Sequence, residues 1–520
     1  MQKVDPPFAP GHRGPMNHSP PSKATAKQRS KARVAVIGAG MSGVLAAIEF
    51  KRAGYTNLVI YEKGASVGGT WRENTYPGIC CDVPSHFYSY SFELNPEWSH
   101  RFSPGAEIRA YFEGIARRYE ILPLIQFETE VQGCRFDHGR WHLALADGKT
   151  DTADFVIAAT GVLHQPALPD LKGLDSFEGP AFHSARWDHN VAIEGRRLGV
   201  VGTGSSAVQI VSASVDSVQT LNLFQRTPQW ITPIDNPAYQ DEERAEFRKN
   251  PEAMQAIREE AAQAFTDGFA NHLVDAESPV LAIIHDSCVA NLESSVRDPI
   301  LREKLRPDYQ ATCKRLVMSE GFYEAIQRPN ANLITASIDQ VEPEGIRTSD
   351  GELHPLDILV LATGFRVEDF VRPMQVSGRG GTLLDEVWRS GPKAYLSICV
   401  PDFPNFFMLQ GPSSPVGNFS LIEVAELQVQ YILELIQSLE TEGPQAISVS
   451  QDAATRYESD RQKAARKTVW ASGCNSWYIG KDGLPIAWPF TFDRFREEME
   501  GPRLQDFETQ SIHSAHLIEE

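Results

Sequence analysis

Val34-Ala-Val-Ile-Gly38-Ala-Gly40-Met-Ser-Gly43 joins a short apolar run to a glycine-rich turn. Four apolar residues without a polar break read as a short parallel strand buried on both faces. The glycines that follow permit a tight turn and close backbone approach to a pyrophosphate. Val44 to Arg52 then has helical character, with its N-terminus placed to receive that anion. A second strand, Leu58 to Tyr61, ends at Glu62, where a carboxylate can accept hydrogen bonds from ribose hydroxyls. Strand, glycine turn, helix, strand and acid in this order predict a dinucleotide-binding module.

The plan recurs. Leu198 to Val201 is a strand, Gly202-Thr203-Gly204-Ser205-Ser206-Ala207 a turn, and Leu221 to Phe224 a second strand after a helix. At the position that matches Glu62 stands Arg226, followed by Thr227 with its hydroxyl. An arginine there accommodates a 2′-phosphate that a carboxylate would repel. The first module therefore suits FAD and the second NADPH. Asp154 to Gly161 and Asp357 to Gly364 are strands that both end in Ala-Thr-Gly. Each resembles the segment of two-dinucleotide-domain flavoproteins where the chain leaves one domain for the other, which implies crossings near 161–170 and 364–395. Asn236 to Arg306, rich in Ala, Glu, Gln and Arg without strand alternation, reads as a helical insertion in the NADPH domain. The fold class expected is α/β, two Rossmann-like domains with a helical insertion. The expected boundaries are a disordered arm 1–32, an FAD-binding domain of 33–165 and 380–505, an NADPH-binding domain of 166–235 and 307–379, the insertion 236–306, and a loose tail 506–520.

A chain of 520 residues is too long for one core. Its net charge of −19 disfavours nucleic acid and anionic membranes. No apolar run reaches the length of a membrane span. Seven cysteines, an odd number, without a signal peptide suggest reduced thiols and a cytoplasmic setting. Histidine and cysteine spacings do not suggest a zinc site, and no metal is expected. Adjacent Cys80 and Cys81 lack the spacing of a flavin disulfide reductase. The first 22 residues hold six prolines in a basic, non-periodic context, which argues against a packed core there.

Between the two loops lies Phe177-Glu-Gly179-Pro-Ala-Phe-His183-Ser-Ala-Arg-Trp187-Asp188. This pattern resembles the fingerprint of the type I Baeyer–Villiger monooxygenases, and the resemblance covers roughly residues 33 to 500. Gly69-Thr70-Trp71, Tyr76-Pro77-Gly78 and Asp82 resemble a second signature of that family. Lys314-Arg315 resembles its Lys-Arg pair. Phe403-Pro404-Asn405-Phe406-Phe407 and Gly411-Pro412 resemble segments close to its flavin. Trp470 and Gly473 to Tyr478 resemble a mobile loop that closes over NADP.

The resemblance implies an FAD- and NADPH-dependent enzyme that inserts one oxygen atom of O2 beside a ketone carbonyl, through a flavin peroxide, to give an ester or lactone. Arg315 would be the catalytic cation, and Asp82 would orient it and modulate its charge. Cofactor contacts are assigned to Gly38, Gly40, Gly43, Glu62, Lys63, Gly69, Thr70, Trp71 and Asp82 in the first module. In the second they fall to Gly202, Thr203, Gly204, Ser205, Ser206, Gln209, Arg226, Thr227 and Lys314. Phe177, Gly179, His183 and Trp187 would bridge the domains, and Trp477 and Phe419 would line the substrate pocket. The expected partners are a small ketone and O2, without nucleic acid or membrane insertion, on a monomer or small homo-oligomer. The rival readings are a flavin monooxygenase acting on N or S atoms and a non-catalytic redox-sensing flavoprotein.

Overall fold

Two five-stranded parallel sheets organise the chain. The computed structural model describes residues 29, 31–417, 419–439, 445–474 and 476–511. The first sheet runs, edge to edge, through Phe406–Met408, Phe155–Ala158, Arg33–Ile37, Asn57–Tyr61 and Ile125–Gln126. The second runs through Ala331–Ile334, Thr220–Phe224, Arg197–Val201, Ile358–Leu361 and Ala181–His183. Every pairing in both is parallel.

Side chains alternate across each strand, so the apolar runs feed two cores at once. Val34, Val36, Leu58, Ile60 and Ile157 face the core that includes the Met41–Arg52 and Leu421–Gln437 helices. Ala35, Ile37, Val59, Tyr61, Val156 and Ala158 face the other side. There they meet an antiparallel sheet of Val131–Asp137, Arg140–Leu145 and Thr150–Ala153.

Two boundaries differ from the sequence reading. Gln375–Ser377, expected in the second domain, pairs with Gly133–Arg135. Val371, Met374 and Val376 are buried in the core under the first sheet, so the chain returns before residue 380. The expected loose tail is partly ordered. Phe507–Ser511 pairs antiparallel with Gln445–Val449, and buried Asp506 accepts a 2.8 Å hydrogen bond from the Tyr395 hydroxyl. Residues 512–520, like 1–28 of the expected arm, lie outside the described residues.

The insertion is helical but serves both modules. Its Pro251–Gly268 helix brings Ala261, Ala262 and Phe265 to the first module's core. Its Pro279–Ser295 helix buries Cys288 and Leu292 in the second module's core. Both helices carry Pro at their first turn, where a missing N–H costs nothing. Among the described residues no helix is long and apolar enough to cross a membrane, and no cluster could hold a metal ion.

Candidate active site

The two glycine loops share one construction. Gly38 sits at φ +104°, and a Cβ there would lie 2.5 Å from the Ala159 carbonyl oxygen. Gly202 sits at φ +116°, with the Ala362 oxygen 2.4 Å from the corresponding point. Each Ala belongs to an Ala-Thr-Gly ending, so the first glycine of each loop backs onto the strand that follows it in the sheet. A side chain would collide with backbone, which is why only glycine fits. The helices that follow begin at Gly40 and Gly204 without a side-chain cap. Their first N–H groups are oriented for an anion.

Glu62 is buried and accepts from the Ala39 N–H at 2.8 Å and the Gly64 N–H at 2.7 Å. A third donor, Arg72, reaches it at 2.7 Å. Gly69 closes over Gly40, where a Cβ would come within 2.9 Å of the Gly40 Cα. Lys63 and Thr70 are exposed beside this cleft, and the Trp71 indole donates to the Tyr88 hydroxyl at 3.3 Å.

In the second module Arg226 is exposed just beyond its strand. Thr203 donates to the Thr227 carbonyl at 2.7 Å and fixes that corner. Lys314 stands over the Tyr309 ring at 4.4 Å. Burial lowers its pKa and nearby Arg226 lowers it further, against Asp308, which raises it. Arg226, Thr227 and Lys314 thus form one cationic corner from separate segments.

Ser206 and Gln209 spend their side chains elsewhere than expected. Ser206 donates to the Tyr76 hydroxyl at 3.0 Å, and Tyr76 donates to Gln209 at 2.9 Å. Gln209 in turn donates to the Cys80 carbonyl at 3.1 Å. These contacts clamp the Tyr76–Cys80 turn of the first module onto the Ser205–Ser214 helix of the second.

The Phe177–Asp188 segment anchors the second chain crossing. His183 Nδ1 accepts from the Ala185 N–H at 3.1 Å, and its Nε2 lies 3.0 Å from the Gly364 carbonyl oxygen. Both ring nitrogens are therefore engaged by backbone, and burial keeps the pKa below the ordinary histidine value. Gly179 has no room for a side chain, because the Asp357 oxygen lies 2.3 Å from where a Cβ would sit. Trp187 stacks edge-on against Phe182 at 5.2 Å, and Phe177 packs under the second sheet.

Arg315 lies where the modules meet the C-terminal loop. It is paired with Asp82, and it donates to the Gly417 carbonyl at 3.2 Å. The Asp82 carboxylate holds its pKa above the ordinary arginine value. Buried Tyr478 donates to the same Gly417 oxygen at 3.3 Å and also contacts Arg315. A cation with three fixed partners, a short step from the cationic corner, can stabilise developing negative charge without reorganising.

The flavin-binding monooxygenase-like family profile matches residues 31–240. A Baeyer–Villiger monooxygenase of Streptomyces coelicolor is 38% identical over 488 residues, 92% of each chain. The chain belongs to the Baeyer–Villiger monooxygenases. An uncharacterized monooxygenase of Mycobacterium tuberculosis is 47% identical over 459 residues, 88% of this chain and 92% of its own. The structure of a cyclohexanone monooxygenase from Rhodococcus sp. Phi1 bound to NADP+ superposes with a TM-score of 0.83. It is 27% identical and covers 92% of this chain and 99% of that one.

The chain departs from its sequence reading at Phe419 and at two of its cysteines, and keeps Trp477 open to the expected role. Phe419 is a core residue rather than a pocket wall. It is buried and stacks on Phe492 with ring centroids 4.6 Å apart. Trp477 is half-buried and stacks on Tyr478 at 4.1 Å. The cysteines are not all reduced: Cys313 and Cys474 are joined, with Cα atoms 6.2 Å apart.

The sequence reading also missed an ionic chain. Arg72 pairs with Glu62 and with Glu73, and Glu73 pairs with Arg186 of the Phe177–Asp188 segment. It runs from the acid of the first nucleotide loop into the segment that anchors the second module. Of its members only Glu62 stood out in the sequence, as the acid that ends the second strand.

Proposed function

We propose that this chain uses FAD in the first glycine loop and NADPH in the second to convert a ketone and O2 into an ester or lactone. The residues present fit both cofactors: two side-chain-free glycine cradles lead into uncapped helix N-termini. Bound FAD and NADPH supply the hydride and oxygen chemistry, while the protein supplies position and electrostatics. Glu62 would hold the adenosine ribose of FAD. Arg226, Thr227 and Lys314 would hold the 2′-phosphate of NADPH. Arg315 would stabilise negative charge on the attacked carbonyl oxygen, with Asp82 fixing the orientation of its guanidinium. The half-buried Trp477 would shape one wall of the ketone site. The reading is of a cytoplasmic enzyme working as a monomer or small homo-oligomer.

The observation that carries it is the Arg315 cluster, in which Asp82, Gly417 and Tyr478 fix one guanidinium beside Lys314. The test is a ketone panel of cyclic, aryl and long-chain members. Ketone-dependent NADPH and O2 consumption with an ester or lactone identified by mass supports it. Oxidation of amines or sulfides with no ester from any ketone overturns it.

A further inference from the structure

The Cys313–Cys474 bond joins two segments that both reach the arginine cluster. Cys313 is buried and immediately precedes Lys314 and Arg315. Cys474 belongs to the segment whose Tyr478 contacts Arg315 and the Gly417 carbonyl. The bond spans 161 residues of sequence, and its Cα separation of 6.2 Å lies within the range a disulfide accepts.

The two sides differ in access. Ala471, Ser472 and Gly473 are exposed and Cys474 is half-exposed, so a small thiol or oxidant reaches the pair from that side. Behind it Trp470 and Tyr478 stack with centroids 5.2 Å apart in a small core of their own. The preceding Thr312 holds φ +77°, a left-handed backbone that a β-branched residue rarely adopts. The segment carrying Lys314 and Arg315 is therefore held in a conformation it would not choose alone.

The other five cysteines are free, including adjacent Cys80 and Cys81. A single bond in a chain otherwise left as thiols is unlike a disulfide framework, in which cysteines pair throughout. We propose that Cys313 and Cys474 are a redox modification site. Oxidation clasps the Trp470–Tyr478 segment to the Lys314–Arg315 segment, and reduction releases it.

The oxidant is hydrogen peroxide. One thiolate attacks the peroxide O–O bond, giving a sulfenic acid and, after proton transfer, water. The second thiol then displaces a second water as the S–S bond forms. Reduction runs through a mixed disulfide with an external dithiol, which leaves as the oxidised disulfide while both cysteine sulfurs regain protons.

The experiment uses the full-length, FAD-loaded protein. Denatured and alkylated without reductant after peroxide treatment, it should carry five blocked thiols, and seven after dithiothreitol. A non-reducing peptide map should link 313 to 474. Hydrogen exchange over 470–478 should be slower in the oxidised form. NADP+ affinity should differ by about fivefold or more between the two forms, the scale of a modest coupling. A C474S variant should match the reduced form whether or not peroxide is added. Seven alkylated thiols after peroxide would overturn the proposal, as would a linkage between other cysteines. So would a correct linkage with identical exchange over 470–478. The wild-type redox cycle decides the matter even if C474S does not fold. The NADP+ arm rests on the function proposed above, whereas thiol counts and exchange do not, so the two failures are distinguishable.

Discussion

Arg72 donates to Glu62 at 2.7 Å from within the cleft of the first glycine loop, and Glu62 is 4% exposed. A carboxylate buried this deeply needs its cation as well as the two N–H groups it accepts from. Removing one partner of a buried pair costs about 3–5 kcal/mol when nothing else compensates. With the two N–H donors remaining, Arg72→Leu should destabilise the apoprotein by about 2–3 kcal/mol. FAD should bind more weakly, because Glu62 would no longer be held for the ribose. Arg72→Lys should recover only part, since an ammonium lacks the fork that also reaches Glu73. Urea unfolding and flavin-release fluorescence check this. Unchanged FAD affinity in the Leu variant would make Arg72 a bystander.

His86 carries the clearest pH signature. It is 1% exposed, and among the described residues its ring nitrogens find no partner. Its ring lies edge-on to Phe247 at 4.9 Å and Tyr239 at 5.4 Å. Burial lowers its pKa to about 4. The unfolded chain takes up this proton near the ordinary histidine pKa of about 6.5, whereas the folded chain resists until about 4. Stability should therefore fall as pH drops through that window, by roughly 2–3 kcal/mol from this group alone. His86→Phe keeps the aromatic packing and removes the proton. Thermal unfolding of both proteins from pH 7 to 4 should show a flatter profile for the variant. Parallel profiles would assign the acid lability to other groups.

The cationic corner predicts a coupled effect. Arg226→Ala should weaken NADPH binding by about 1.5–3 kcal/mol, the scale of a charge-assisted hydrogen bond, and leave NADH binding nearly unchanged. In the proposed role Lys314 would bind phosphate only as the ammonium, so NADPH affinity should fall as pH rises toward its lowered pKa. Arg226 is one cause of that lowering. In Arg226→Ala the alkaline fall should therefore move to higher pH even though affinity is weaker throughout. Equal losses for NADPH and NADH would show that Arg226 does not read the 2′-phosphate.

What the sequence made legible was local or motif-borne. The glycine loops and the apolar strands are fixed by neighbours within a few residues. Asp82 and Arg315 could be paired in advance because each sits in a motif, although 233 residues separate them. Phe419 was misread because its environment is set by Phe492, on a distant helix, and nothing around Gly417 announces that stack. The strand Phe507–Ser511 was read as tail because pairing with Gln445–Val449 leaves no local trace in a polar run. The Glu62–Arg72–Glu73–Arg186 chain depends on the Phe177–Asp188 segment folding back over the first module. Spacing in the sequence does not encode that apposition.

Arg315 is the residue on which the proposed chemistry turns. Its side chain is 33% exposed and that of Asp82 31%, so water can hydrate the Asp82 carboxylate if the guanidinium is removed. Arg315→Ala should therefore fold and keep FAD. Hydride transfer from NADPH needs no cation at this place, because Lys314 and Arg226 would hold the phosphate on the proposed reading. Reduction of FAD should survive. Ester or lactone formation should drop by about 100-fold or more, as when a preorganised donor to an oxyanion is removed. NADPH would then be spent making hydrogen peroxide. Arg315→Lys should recover little, since one ammonium cannot serve both Asp82 and the Gly417 carbonyl with the geometry of a planar fork. Stopped-flow reduction, peroxide release and product assays on the same preparations separate the two halves of the cycle. Ester formation near the wild-type rate would move the catalytic cation elsewhere. Loss of flavin reduction with NADPH binding impaired would place Arg315 in the phosphate corner beside Lys314.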